Sequence, residues 1–597
     1  MKRSILASVS VAALFAAAPA MAQDNTSTVN QTNAWNEAVV TQSGSNAQST
    51  VQQDGDGQQF SRRNRVRVEQ SGNGAESTIN QVSGNRNRAD VRQNGDSTST
   101  IRQDGPQLDA EVNQTGDGNS SNIDQAGRQA TVGVPLNSAA TGVVQVGNNN
   151  FSDIDQNPTT WSEAAVSQFG NSNSSNLRQE TLGTSGGNEN SSSSVLQDGD
   201  RNSSTLNQIS GTTPSLLIAN VNQNGDDNSS MLTQTGADNS ASLLQDGDRN
   251  ASMINQSGVG GNVEVEQFGN ENDSFVTQES GATAIVRQEE GSSINARPRT
   301  DRGGEPVRAN YSTINQGAGA TGARAEVDQS GELNLSRVSQ NGGASQAEVE
   351  QRGIFNESTV NQTGASIASV YQGGAYGDNR SVVNQNVSGA SATVDQRADR
   401  TDPTYFPTND STITQDAAAT ADVGQLGQQN VSNVAQLGGS AGATATVRQT
   451  NTNAAAGAGD INSSIVNQSA LTTAFVEQIG EGNTSTVDQT GGSSVARAAD
   501  IAQYGNDSIS TLEQGGSNNE ASLLQLAGSS FNESNILQTG SNGLVEVTQG
   551  GSGHLSNVTQ GGTANSAFVN QSGSGHTSTI SQGGSTNTAT VTQSGGL

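Results

Sequence analysis

The chain has 597 residues and no cysteine. That excludes disulfides, thiol nucleophiles and cysteine-based metal sites, so stability must rest on packing and hydrogen bonds alone. Lysine occurs once, at Lys2. Schiff-base chemistry and lysine isopeptide links are therefore excluded from everything downstream. Aromatics make up 3 % and hydrophobic residues 30 %, and the mean hydropathy is -0.60. A chain this poor in apolar surface cannot offset its ordering entropy with an ordinary globular core. Basic charge is scarce too: 27 Lys and Arg stand against 57 Asp and Glu, a net charge of -30. Phosphate backbones and anionic membranes repel such a chain, which argues against nucleic acid as a partner.

What apolar character there is concentrates at the N-terminus. Lys2 and Arg3 precede a short apolar run from Ile5 to Ala18, and Ala20-Met21-Ala22 has the small-x-small form of a cleavage site. Residues 1–22 read as a bacterial-type secretory signal peptide, with the mature chain expected over 23–597. The run is shorter than the ~20 residues of a membrane span, and no later stretch is apolar enough for one.

The rest of the chain is governed by a repeat. With each recurring Gln at position 0, "DNTSTVNQ" places Asn25 at -6, Ser27 at -4, Val29 at -2 and Gln31 at 0. "WNEAVVTQSG" places Asn36, Ala38, Val40 and Gln42 in the same slots, with Gly44 at +2. The consensus is N-x-[SA]-x-[VIL]-x-Q-x-G-x-x, recurring about every 11 residues. The even positions are restricted and the odd ones accept almost anything, a period of two that predicts β-strands with the even positions inside. Gly at +2 suits a turn needing unusual dihedrals. The prolines after the leader fall in turns, in insertions or in the one defective unit, "ATVGVPL" at 130–136, where Gly133 replaces the Gln.

Position -4 alternates: Ser510, Ala521, Ser534, Val545, Ser556, Ala567, Ser578, Ala589. The same holds at Ser312, Ala325, Ser336, Ala347 and Ser358. The true period is thus two strands, about 22 residues, with a Ser arm and an Ala arm. The predicted fold is an all-β solenoid of about 23 two-strand rungs, stacked parallel and in register over roughly 110 Å. Inside, stacked amides are expected to hydrogen-bond the identical residue above and below, the cross-β arrangement within one chain. The residues expected to carry these ladders are Gln31, Asn36, Gln42, Gln316, Gln329, Gln340, Gln351, Gln362, Gln549, Gln560, Gln571, Gln582 and Gln593. Loop insertions are expected near 54–65, 126–142, 180–192, 289–310, 397–410 and 450–462.

The unit resembles the curlin repeat, S-x5-Q-x-G-x-x-N-x-A-x3-Q, of curli fibre subunits. Asn36, Ala38 and Gln42 match its N-x-A-x3-Q half. Asn565, Ala567 and Gln571 do likewise, with Gln560 and Gly562 supplying the preceding Q-x-G. The resemblance implies a secreted structural subunit of an extracellular, curli-like (pilus-like) functional amyloid fibre in bacterial biofilm matrix, supporting adhesion and surface colonisation. It also implies that the partners are the chain itself, a nucleator subunit and an outer-membrane secretion pore. Familiar curlin subunits hold about five such repeats, far fewer than this chain, and their first half places Ser at -6 rather than -4. The rival reading is a β-solenoid surface adhesin that does not polymerise.

Catalytic or metal chemistry has few candidates. The only histidines, His554 and His576, both fall at -6 of Ser-arm units, so they are expected to stack on adjacent rungs. Two imidazoles do not make a metal site, and a ladder substitution is the simpler reading. "QDGDRN" at 197–202 and 245–250, and "QDGDG" at 53–57, offer oxygen-rich turns that suit Ca²⁺ or simply water. Glu326, Asp328, Glu348 and Glu350 are paired outward carboxylates without a pocket, suited to restraining lateral association rather than to glycosidase chemistry. Phe275, Phe475 and Phe568 are expected to face outward. The basic stretch at 295–308 reads as a solvated loop. No enzyme activity and no cofactor are expected.

Overall fold

The computed structural model describes residues 24–595, apart from 34, 55–62, 128–138, 160–161, 182–190, 211–215, 290–298, 301–305, 308–309, 375–377, 399–407, 452–460 and 493–497. The leader, the defective unit at 130–136 and the interiors of the six expected insertions lie largely or wholly outside these residues. The described residues contain strands and turns and no helix. Accordingly, no helix is long and apolar enough to cross a membrane.

The strands form two parallel sheets of 23 strands each. The first sheet (the Ser sheet) runs from Thr26–Thr32 to Thr577–Gln582, and the second (the Ala sheet) from Asn36–Gln42 to Thr588–Gly595. Consecutive strands alternate between sheets, so each rung is strand, turn, strand, turn. Both sheets are open: their outermost strands pair with one neighbour only. The register brings like onto like. Val29 lies beside Val51 and Gln31 beside Gln53 at one end, and Ser556 beside Ser578 and Gln560 beside Gln582 at the other.

Insertions do not disturb this order. Gln278 pairs with Gln316 and Gln288 with Gln329, across 38 and 41 residues. That insertion contains a short antiparallel pairing of Arg299–Thr300 with Pro306–Val307. Pro158 sits in the tail of strand Phe151–Thr159, beyond its Gln, where the register shifts. Proline has no N–H to give to a ladder, so the pairing slips there and not in the strand interior.

The core is one thin continuous file. Ile79, Ile101, Ile123 and their successors at -2 of the Ser sheet pack with Ala110, Val112 and their counterparts in the Ala sheet. Outward residues at -5, -3 and -1 alternate with these along every strand. Phe275, Phe475 and Phe568 lie on that outer surface but are half-buried against neighbouring rungs, with the Phe275 ring 5.4 Å from that of Tyr311.

Candidate functional site

The feature repeated in every rung is the buried glutamine at position 0. In the Ser sheet each Nε2 donates to the Oε1 of the next rung's Gln, unbroken from Gln31 to Gln582. Gln31 donates to Gln53 at 2.7 Å, Gln316 to Gln340 at 2.8 Å, Gln340 to Gln362 at 2.8 Å and Gln560 to Gln582 at 2.8 Å. The Ala sheet has its own ladder from Gln42 to Gln593. It includes Gln42 to Gln70, Gln329 to Gln351, Gln351 to Gln372, Gln549 to Gln571 and Gln571 to Gln593, at 2.8–3.0 Å. The second N–H of the amide crosses the core. Gln340 donates it to the Arg324 carbonyl at 2.9 Å, Gln362 to the Gln346 carbonyl at 2.8 Å and Gln560 to the Leu544 carbonyl at 3.0 Å. One side chain therefore ties rung to rung and sheet to sheet, which explains why a 30 % hydrophobic chain can support a core.

Position -6 departs from the expectation of matching ladders in both arms. In the Ser sheet it is Asn in every rung from Asn119 to Asn483; in the Ala sheet it is mostly small, as at Ala282, Ala323, Ser345, Ser366, Ala390 and Ala419. Asn36, in the Ala sheet, reaches no neighbouring amide: its Nδ2 donates to the Thr32 carbonyl at 2.8 Å. Between Asn119 and Asn272 the Asn bonds are made to backbone. Asn119 Oδ1 accepts the Asn150 N–H at 2.9 Å, and Asn150 Nδ2 donates to the Gly170 carbonyl at 2.8 Å. Amide-to-amide bonds occur higher up, from Asn334 to Asn310 at 3.1 Å and from Asn409 to Asn379 at 3.0 Å. Where the Ala sheet does carry Asn the same bonds recur: Asn519 Nδ2 donates to the Gly540 carbonyl at 3.0 Å, and Asn565 Oδ1 accepts the Asn587 N–H at 2.9 Å. In the Ser sheet the carbonyl offered to the Asn belongs to the glycine of the entering turn, Q-x-G-x-x-N.

That turn is built on stacked glycines. Gly95, Gly116, Gly147, Gly170, Gly199, Gly225 and Gly247 all have positive φ. A Cβ on any of them would sit 1.9–2.3 Å from the carbonyl oxygen of the next rung's glycine. The +3 residues bond along the axis: the Asp200 N–H donates to Asp226 Oδ1 at 2.8 Å, and the Asp226 N–H to Asp248 Oδ1 at 2.9 Å. The carboxylates of "QDGDRN" thus receive backbone hydrogens, and Arg201 also pairs with Asp227 at 2.6 Å. Among the described residues no group of three or more His, Asp or Glu is placed to hold a metal ion.

The histidines stack with ring centroids 5.2 Å apart and planes 3° from parallel. His554 Nδ1 accepts the His576 N–H at 3.2 Å, and His554 Nε2 lies 3.1 Å from the Gly550 carbonyl. Nε2 is therefore the protonated nitrogen and Nδ1 the acceptor, the same two bonds that Asn makes in this column. With both nitrogens engaged, His554 has no lone pair free for a metal.

The outer face of the Ala sheet carries the expected carboxylates. Asp328 lies directly beside Glu350 on the next rung. Burial, then repulsion from Glu350 and Glu289, raises the Asp328 carboxyl above its usual range. Burial likewise raises Asp109, against the pull of Arg88, and Asp155, where Asp124 adds to it. Only Asp227 among the shifted carboxyls is lowered, by its hydrogen bond from Arg201 at the open surface. A raised folded-state value means the native rod holds protons that the unfolded chain has lost. Stability is then lost as pH rises through that window and regained as it falls. Acidification from pH 7 toward about 4 is expected to raise the denaturant midpoint, with relief of the net charge adding to it. A midpoint falling steadily across that range would contradict these assignments.

Residues 62–95, 219–247, 236–279 and 562–595 match the family model of the curlin associated repeat. No curated protein matches the chain. The matched segments lie near the start, before the middle and at the end of the same two sheets, and the rungs between them continue their Gln ladders in unbroken register. The chain thus carries curlin associated repeats at its start, before its middle and at its end.

Proposed function

We propose that this chain is a non-enzymatic, secreted structural subunit of curli-like fibres, joined end to end at the cell surface and serving adhesion within a biofilm matrix. The curlin associated repeats support a fibre subunit. The leader at 1–22 supports export, with a nucleator and an outer-membrane pore as the expected partners. The observation that carries self-assembly is the chemistry of the two rod ends. Gln31 and Gln42 turn their amide oxygens out of the first rung, because each spends its Nε2 on the rung above. Gln582 and Gln593, at the last rung, donate one N–H across the core, to Ser566 and Thr577, and have no further rung to receive the other. An acceptor face and a donor face, each flanked by strands with one edge open, fit head to tail onto a second copy.

The absence of cysteine makes the junction testable. In a head-to-tail array, Thr28 of one copy and Thr579 of the next would be stacked neighbours about 4.8 Å apart. A disulfide spans such a separation. Fibres of the Thr28→Cys, Thr579→Cys double variant are expected to form covalent multimers on oxidation, and fibres of either single variant are not. Fibres without cross-links would refute the in-register junction. Stable monomeric rods that do not grow on seeds would refute the fibre reading in favour of a free-standing adhesin.

A further inference from the structure

Position -4 of the Ser sheet is serine in every one of the 23 rungs, from Ser27 to Ser578. No other inward column except the glutamine is so uniform. From Ser99 to Ser578 every one of these hydroxyls is buried and has no hydrogen-bond partner. The one contact within the column is Ser77 Oγ to Ser49 Oγ, at 3.3 Å. Burying a hydroxyl without a partner destabilises a fold relative to alanine at the same place.

The Ala sheet supplies an internal comparison. Its -4 column occupies the equivalent place in the same core and is mostly alanine, as at Ala325, Ala347 and Ala368, with valine accommodated at Val66, Val263 and Val545. Where that column has Ser193, the hydroxyl accepts a hydrogen bond from Gln179 at 2.9 Å. Packing therefore does not demand serine in the Ser sheet, and hydrogen bonding does not reward it there.

We infer that the serine column sets a deliberate limit on rung stability, so that a few rungs cannot sustain themselves and the chain stays unfolded until a finished rod end templates it. In a stacked repeat, stability is close to a sum of rung and interface terms. A small penalty on every rung increases the number of rungs that must form before growth runs downhill, and so slows unseeded folding steeply. Addition to a preformed end skips that nucleus. The same hydroxyls lower the apolar content of the unfolded chain, which restrains premature β-aggregation. This inference rests on the fibre-subunit reading, in which the chain must reach the surface before it folds.

The test replaces five consecutive serines, Ser312, Ser336, Ser358, Ser381 and Ser411, by alanine. A reciprocal variant replaces Ala325, Ala347, Ala368, Ala392 and Ala421 of the neighbouring strands by serine. Unseeded folding of dilute full-length mature chain is followed by circular dichroism, and fibre growth is followed separately by dye binding with and without seeds. The alanine variant is expected to fold without seed at least tenfold faster than the parent and to unfold at higher denaturant. The serine variant is expected to shift both measures the other way. An alanine variant that folds no faster, or unfolds at lower denaturant, overturns the inference. Absence of fibres from all three proteins would instead count against the subunit reading, while the dilute folding rates would still decide the role of the column.

Discussion

Gln340→Ala is expected to destabilise the rod by roughly 3–6 kcal/mol, with the loss confined to the rungs around it. The truncation removes three bonds at once. Gln316 loses the acceptor for its Nε2, Gln362 Oε1 loses its donor, and the Arg324 carbonyl loses its cross-sheet partner. All three groups are shielded from water, so none recovers a bond there, and the vacated space adds to the penalty. The same change at Gln31 removes one ladder bond from an exposed side chain and is expected to matter by less than about 1 kcal/mol. Hydrogen exchange read rung by rung is the suitable measurement, because a stacked repeat opens locally before it unfolds globally. Equal effects at the two positions would show that the ladder is not a source of stability.

The second large effect is expected at Gly170. Its φ is 105°, and an added Cβ would lie 2.1 Å from the Gly199 carbonyl oxygen. That carbonyl cannot retreat freely, since the Gly199 N–H is bonded to the Phe169 carbonyl at 3.0 Å. Gly170→Ala must therefore pry two rungs apart or twist the turn, at about 3 kcal/mol or more. Gly583 provides the control: nothing lies within 4 Å of its Cβ position. Gly583→Ala is expected to change the denaturant midpoint little or to raise it slightly, through the unfolded chain. Matching losses in both variants would mean that general chain stiffness, not contact between rungs, explains the glycine column.

The period, the two arms and the stacking of like on like were legible because a solenoid's neighbours in space are its neighbours in the repeat. Gln31, Gln42, Gln340 and Gln593 could be placed by counting alone. What counting could not supply was set by contacts between rungs. Asn36 and Asn334 occupy the same slot in the unit, yet only Asn334 bonds a stacked amide, because it donates to the rung before it and Asn36 stands on the first rung. Gly170 was readable as a turn residue from its +2 position, but the carbonyl pressed against it belongs to a different rung. The serine column was visible as an alternation with alanine. That its hydroxyls find no partner depends on backbone groups being already committed to ladders, which no single unit displays. His554 and His576 could be placed in the asparagine column by counting, and the bond between one ring and the next backbone N–H is the detail that only the structure supplies.

The uninterrupted pairing across 23 rungs also has a mechanical meaning. Pull along the axis, and each boundary between rungs is loaded through a row of backbone and amide bonds acting side by side. If one boundary within a copy gives way, the polypeptide still crosses it, and the released turns and insertions act as a leash that lets the gap close again. Between copies nothing covalent crosses. A subunit with about 23 rungs meets such an unleashed boundary only once every ~110 Å, so tensile failure in any head-to-tail array of these rods is concentrated at widely spaced points.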